Sequence, residues 1–375
     1  MPARPTEAPS ADAPFNDALP TDALPTQEAL VRHWPSDADR PEVSVICTTF
    51  NQAGYIRETI EGFLRQQTDF CFEIIVHDDA STDGTADIVA EYAARYPRVI
   101  RAVLRDENQY QKGHRIMPLA AGFARGAYLA LCEGDDFWCD EQKLARQYRA
   151  MQARPEIAIS YHNVIRRGPE QESLHIDVQD SRNHERVVAL DELLVHTGDY
   201  CPSPSLMLHR SVVERLPEWF YTTAPVGDFY LQVLAAWPAG ALYLPDVMAV
   251  YRTQAQGSWS QQQRQLEDDR RYARHQDFMA RHAECMHHLA TMLDASHTPS
   301  ITLAMARRWY YASVEYLQAG RYRGFRDAIA ASMHQQAISA PQRLLFLLRR
   351  TPRLAGRLIA MRHQYQRRRR STDCA

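Results

Sequence analysis

Three clusters of hydroxyl and acidic side chains stand at the ends of apolar runs: Thr48-Thr49, Asp78-Asp79 and Asp135-Asp136. Neighbouring carboxylates such as Asp135 and Asp136 repel unless a cation or hydrogen-bond donors offset them. An oxygen-only site with few carboxylates suits Mg²⁺ or Mn²⁺ bridging a diphosphate, with phosphate and water completing the octahedron. The plainer reading of a lone Asp-Asp pair is an acidic, solvated turn. Its surroundings weigh against that: Glu133-Gly134 precedes the pair, Phe137-Trp138 follows it, and Asp140 to Leu144 opens a helix. In the run Asp78 to Thr85, Asp83 or Thr85 reads as a helix cap. Capping does not require an Asp pair directly after a buried strand, and a carboxylate there can accept a hydrogen bond from a pyrimidine N3–H or a ribose hydroxyl.

These clusters need elements to carry them. Glu42 to Phe50 is a β-branched run ending in the turn signal Asn51-Gln52-Ala53-Gly54, which predicts a buried strand. Tyr55 to Gln66 follows with Ile56, Ile60, Phe63 and Leu64 on one helical face. Phe72 to Val76, Val99 to Leu104 and Ala127 to Cys132 predict further strands, with helices from about Ala86 and over Met117 to Ala124. The alternation predicts an α/β fold, a mostly parallel sheet flanked by helices. Loops at the carboxyl ends of parallel strands gather on one edge, where ligands bind. The three clusters are therefore expected to meet.

Val45 to Asn51, the Asp78 to Thr85 run and Leu131-Cys132-Glu133-Gly134-Asp135-Asp136-Phe137-Trp138 together resemble family 2 glycosyltransferases in order and spacing. The resemblance covers about residues 41–260 and implies a GT-A fold, a nucleotide-sugar-binding α/β domain. It implies that Thr48 and Phe50 line the nucleoside pocket, that Asp78 reads the base, that Asp135 contacts the ribose and that Asp136 holds Mn²⁺ or Mg²⁺ against the diphosphate. Lys112 and Arg115, in the loop before the Met117 helix, are candidates for base or phosphate contact, or solvated loop charges. Asp228, in Val226-Gly227-Asp228-Phe229-Tyr230 at a helix start, matches the place of the family's general base. Asp191 and Asp199 are weaker rivals, because neither opens a buried helix.

One departure stands out. Relatives with this signature often carry Tyr-Arg-x-His, whose His serves as a metal ligand, whereas Tyr251-Arg252-Thr253-Gln254 puts an amide there. Gln254 is a weaker ligand for Mn²⁺ than imidazole, and Arg252 remains a candidate phosphate clamp. The implied function is an inverting transfer from a nucleoside-diphosphate sugar to a hydroxyl of a saccharide or lipid-linked acceptor, in surface polysaccharide synthesis. The alternative is a non-catalytic GT-A-like nucleotide-sugar-binding or scaffold subunit, for which Gln254 is the argument.

Composition sets the frame. The chain has 375 residues, 45% apolar and 24% charged, which excludes collagen-like and fully disordered classes. Seven cysteines with no CxxC pair predict a reduced compartment without structural zinc. Cys47 and Cys132 are expected to be packing residues. No secretory signal or bilayer-length apolar run is evident, so the expected place is the cytoplasm, peripheral at the inner face of the plasma membrane in one reading.

Residues 1–40, rich in Pro, Ala and Asp, read as a disordered or loosely attached arm. Residues 41–260 form the expected GT-A domain, 261–340 a helical extension and 341–375 a basic amphipathic tail. His282, His287 and His288 on the extension are expected at the surface. The tail carries ten Arg against one Asp, with Leu354, Leu358, Met361 and Tyr365 on one face. Such a helix suits an anionic membrane surface or packs on the protein with a solvated arginine end. Nucleic acid is not expected as a partner, because no recognised module is present.

Overall fold

The computed structural model describes residues 23–35, 40–168, 172–175, 184–196, 200–253, 255 and 267–359. A short helix α1 (Gln27–Val31) precedes the alternating region, which runs β1 (Val43–Thr49), α2 (Ile56–Leu64), β2 (Phe72–Asp78), α3 (Thr85–Arg95), β3 (Ile100–Leu104), α4 (Ile116–Ala121) and β4 (Tyr128–Glu133). There follow β5 (Phe137–Trp138), α5 (Lys143–Gln152), β6 (Ile159–Arg167), β7 (Glu172–His175), β8 (Arg186–Val188), α6 (Leu190–His196) and β9 (Met207–His209). Two short helices, α7 (Arg210–Glu214) and α8 (Glu218–Thr222), lead to α9 (Asp228–Ala236) and the long β10 (Ala241–Arg252). The rest is helical: α10 (Asp268–Met292), α11 (Thr298–Gln318), α12 (Tyr322–Gln335), α13 (Ala340–Leu347) and α14 (352–359).

Among the described residues the strands form one sheet in the order β3-β2-β1-β4-β9-β6-β10-β5, with β7 on β6 and β8 on β10. Strands β1 to β4 are parallel, as the strand–helix alternation predicts. Beyond β4 the sheet is mixed: β9 runs antiparallel to both β4 and β6, and β10 returns parallel to β6. The second half departs from strict alternation because a three-residue strand, β9, is inserted between β4 and β6. Pro245 does not end β10; the ladder to β6 shifts register between Leu244 and Val247 and then resumes. A residue without an N–H is tolerated at such an irregularity.

Helix α2 buries Ile56, Ile60, Phe63 and Leu64 completely, as its apolar face predicts. Each such side chain contributes about 1.5–3 kcal/mol by leaving water. Gly62 on the same helix lets the backbone of Trp138 approach, since a Cβ there would meet the Trp138 carbonyl at 2.7 Å. Helix α2 is thereby fixed against the segment that follows the acidic turn. Cys47 and Cys132 are buried in adjacent strands and serve packing.

Of the expected arm, residues 1–22 and 36–39 lie outside the described residues, and the part that is described is not loosely attached. Residues 23–35 dock on the sheet: Leu30 is buried, Trp34 packs edge-on against Phe72 with its indole N–H on Thr68 Oγ1, and the Tyr96 hydroxyl donates to the Pro25 carbonyl. A composition poor in large apolar residues hides two that reach a waiting groove. The helical extension is also closely joined to the α/β part. Cys285, Met286 and Leu289 of α10 and Ile301, Ala304 and Met305 of α11 share one core with Leu193, Phe229 and Val233. The expected boundary at residues 260–261 lies outside the described residues. His282 is not at the surface. It is 3% exposed and bonded to the Tyr230 hydroxyl at 2.6 Å, and burial lowers its pKa to about 3.

Candidate active site

The parallel register delivers the convergence. Strand β1 lies between β2 and β4, with Thr49 opposite Asp78 on one side and Thr48 opposite Glu133 on the other. Backbone bonds lock the strand ends together: Asp79 N donates to the Thr49 carbonyl at 3.0 Å, and Gly134 N to the Thr48 carbonyl at 2.9 Å. The loops beyond are cross-linked by side chains. Asn51 N donates to Ser81 Oγ, Gln52 N to Thr85 Oγ1 and Ala53 N to Asp83 Oδ2. Asp83 also takes the Thr85 N–H, so the expected cap doubles as a tie between two loops. Asn51 and Ala80 hold positive φ angles of 53° and 65°, left-handed backbone that non-glycine residues adopt at a cost.

The two Asp pairs divide their labour. Asp79 holds the following loop by accepting from Gln109 N and Tyr110 N at 2.7 and 3.0 Å. Asp78 accepts from Ser81 N through Oδ2, while its Oδ1 is buried with no partner among the described residues. Thr48 and Phe50 are half-buried beside this rim.

The acidic turn is tightly built. Asp136 N donates to the Glu133 carbonyl at 3.0 Å, and the Thr59 hydroxyl lies 2.9 and 2.6 Å from the carbonyls of Gly134 and Asp136. A Cβ on Gly134 would come within 2.6 Å of both Thr49 Oγ1 and Gln52 Oε1, so only glycine fits. Carboxylate oxygens of Glu133, Asp135 and Asp136 all lie within 4.8 Å of one another. Asp136 Oδ1 accepts the Arg252 N–H at 2.7 Å, whereas Oδ2 is buried and unpaired among the described residues. Burial first, then the charges of Asp135 and Glu133, raises the Asp136 pKa well above the usual carboxylate range. Burial raises Asp135 as well, although Arg252 and Gln52 oppose the shift. Surrounding protein, then Asp228 and Asp135, push Glu133 up to about 8, even though its side chain remains open to solvent.

Three crowded carboxylates with an orphaned, buried oxygen and an open side form a donor set that fits a hard divalent cation. Glu133 completes this group, which the Asp-Asp pair alone does not reveal. The signal was present in Glu133-Gly134-Asp135-Asp136, but a strand-end glutamate reads as context until the register brings it to the rim.

Asp228 opens α9, exposed to the same cleft, and its field reaches both Glu133 and Tyr251. Desolvation raises its pKa, and Arg115 pulls it back down. Arg115 is itself held by the Ala224 carbonyl, four residues before Asp228. Lys112 pairs instead with Glu107. Arg252 is not a free phosphate clamp. Its guanidinium binds Glu58 and the Asp135 carbonyl between the rings of Tyr55 and Phe137, leaving the side chain 10% exposed. Of the rival acids, Asp191 bonds His297 at 3.0 Å, and Asp199 lies outside the described residues, as does Gln254.

Residues 44–216 match the sequence profile described as Glycosyl transferase family 2. That segment is a family 2 glycosyltransferase domain. The chain is 37% identical over 223 residues to the uncharacterized protein Rv1520 of Mycobacterium tuberculosis, a match covering 58% of this chain and 60% of that protein. It is 28% identical over 180 residues to the uncharacterized glycosyltransferase alr2836 of a Nostoc species, covering 47% of this chain and 53% of that one. The chain thus spans about 60% of the length of the first of these relatives. Its fold resembles the crystal structure of TarS from S. aureus with a TM-score of 0.56 at 14% identity, across 84% of this chain and 54% of that one. This likeness establishes a GT-A α/β fold for the glycosyltransferase domain.

Proposed function

We propose that the chain is a metal-dependent inverting glycosyltransferase, moving a sugar from a nucleoside-diphosphate donor to a hydroxyl of a saccharide or lipid-linked acceptor during polysaccharide synthesis. The observation that carries this reading is the meeting of Glu133, Asp135, Asp136 and Asp228 at one cleft, with Asp136 Oδ2 buried and unpaired.

Asp136, with Asp135 and Glu133, would hold Mn²⁺ or Mg²⁺, which when bound offsets the charge building on the leaving diphosphate. Asp78 Oδ1, at the neighbouring strand end, would accept from the donor's base or ribose, beside Thr48 and Phe50. The acceptor oxygen forms a bond to the anomeric carbon as the bond to the diphosphate oxygen breaks, and the diphosphate departs with that electron pair. Asp228 takes the acceptor's hydroxyl proton, a step whose rate depends on a positioned carboxylate. Arg115 favours the ionised form of Asp228 that this requires. Release of nucleoside diphosphate from nucleotide sugars with Mn²⁺, lost in Asp136→Asn, is the expected result; unchanged release in that variant would sink the assignment.

Membrane-surface attachment through the tail belongs to the same proposal. Among the described residues no helix is long and apolar enough to cross a membrane. On α13 and α14, however, Leu344, Leu347, Leu354 and Leu358 are 47, 73, 48 and 38% exposed. They stand among Arg343, Arg350, Arg353 and Arg357, a pattern suited to an anionic headgroup layer. Met361 and Tyr365 lie outside the described residues. Sedimentation with phosphatidylglycerol vesicles is expected to be lost on removing residues 341–375.

A further inference from the structure

A strongly basic cavity adjoins the segment that leads to Asp228. It measures about 700 Å³ and lies where the 110–115 loop and the 221–225 segment meet α10 and α11. Among the described residues five arginines line it, Arg115, Arg271, Arg274, Arg281 and Arg308, against the single carboxylate of Asp277. An assembly of like charges held together by the fold is costly unless something anionic occupies it.

The guanidiniums fall into two sets. Arg115 and Arg281 build the wall: both bind the Ala224 carbonyl, and Arg281 also donates to the Thr223 carbonyl at 2.8 Å. Arg281 is further balanced by Asp277 at 3.7 Å, and Arg271 by Asp268 at 3.3 Å. Arg274 and Arg308 have no carboxylate within 4.0 Å among the described residues; Arg308 instead lies 4.9 Å above the Phe278 ring. These two forks remain for a ligand. Guanidinium forks match phosphate oxygens bidentately, and several together suit a multiply charged group better than a single carboxylate.

Two features connect the cavity to sugar transfer. Tyr110 and Tyr221 on its lining are 51 and 40% exposed, large aromatic faces of the sort that pack against sugar rings. The lining also includes Arg115 and Pro225, and Pro225 precedes Asp228 by three residues. Arg115 also feels the charge of Asp228, so the cavity borders the cleft on the side of the proposed base.

Resting on the transferase reading above, we propose that this cavity seats a phosphate group carried by the acceptor, with Arg274 and Arg308 as its main ligands and Tyr110 and Tyr221 against the adjoining sugar. The site is separate from the donor's diphosphate, which belongs to the carboxylate turn.

The test is titration of the full chain in EDTA, without donor. Glucose 1-phosphate serves as the soluble probe, phosphatidic acid in phosphatidylcholine vesicles as the lipid-borne one, and glucuronate as the carboxylate control. Saturable binding of glucose 1-phosphate, weakened about tenfold or more in Arg274→Gln and in Arg308→Gln, is expected and assigns a soluble or polymer-borne phosphate. Vesicle binding alone, weakened by the same two substitutions, supports the site and assigns a lipid-borne phosphate. Arg274→Lys, keeping the charge without the fork, is expected to fall between. Absence of binding in both arms, binding indifferent to both substitutions, or glucuronate binding as tightly would each overturn the proposal. So would binding that needs Mn²⁺ and disappears in Asp136→Asn, since that would place the phosphate at the donor turn. Arg274 is exposed, so a melt matching wild type separates lost binding from lost folding. With neither donor nor metal present, failure here leaves the transferase reading standing, and failure of donor turnover leaves this titration unaffected.

Discussion

The backbone N–H of Arg252 meets Asp136 Oδ1 at 2.7 Å, tying the end of the longest strand to an acidic turn 116 residues earlier. The side chain of the same residue grips the Asp135 carbonyl and Glu58. Arg252 therefore braces the turn that is proposed to hold the cation and diphosphate.

Removing that support has a specific signature. Arg252→Ala keeps the backbone donor but frees the Asp135 carbonyl and Glu58. The expected effect is about a 10- to 100-fold rise in the Mn²⁺ concentration needed for half-maximal activity, the usual cost of losing a partner behind the ligands. At saturating Mn²⁺ the donor KM should be nearly unchanged. A metal titration of nucleoside diphosphate release reads both; a donor KM that rises while the metal requirement stays fixed would restore the phosphate-clamp role.

Asp228→Asn is isosteric and cannot take a proton at neutral pH. Transfer to the acceptor is expected to fall about 10²- to 10⁴-fold in kcat, the range of a general base. Donor affinity should hold, because the proposed place of the donor's diphosphate is the turn rather than α9. Donor binding by calorimetry alongside turnover separates the two.

The crowded carboxylates give the metal-free protein a pH dependence of definite sign. Glu133 titrates near 8 in the folded chain but near its ordinary value of 4.5 when unfolded. Between these values the native state holds a proton that the unfolded state has released, so stability declines as pH rises from about 5 to 8. Asp135 and Asp136 shift in the same direction. Melting in EDTA across this range should show the decline, and Glu133→Gln should reduce it. Added Mn²⁺ should raise Tm most at pH 8, where its ligands are already deprotonated.

Gly134→Ala introduces a Cβ 2.6 Å from two polar atoms on β1 and the loop after it. Neither can withdraw freely, since Thr49 Oγ1 and Gln52 Oε1 bond each other at 2.8 Å. A loss of about 1–3 kcal/mol is expected, as for other overpacked sites. Because the displacement falls between Glu133 and Asp135, Mn²⁺ affinity should fall with it. Denaturant melts and metal titration of the same variant provide the check.

Much of this architecture was legible in the residues. A β-branched run followed by a turn signal is a local property, so β1 was located from its own sequence, and β2 and β4 within a residue or two. The apolar face of α2 was equally local, as was the helix start at Asp228. The helical character of the extension was legible too, and the structure folds its residues 298–335 into a hairpin with Gly320 at φ +69° in the turn.

What the chain could not announce was anything set by a partner far along it. Trp34 looks like a stray aromatic in a polar arm until Phe72 and Thr68 receive it. His282 sits in a polar helix, yet Tyr230 and the core beneath bury it. Glu133 became a site residue only through the register of β1 with β4, and Arg252 lost its free guanidinium only through Glu58. Residue type and short-range spacing thus marked which groups are candidates to hold a cation and diphosphate, and roughly where each strand ends. Tertiary structure alone decided which carboxylates share a field and which arginines remain unpaired, because charge acts through space and its strength depends on distance and burial that no stretch of sequence contains.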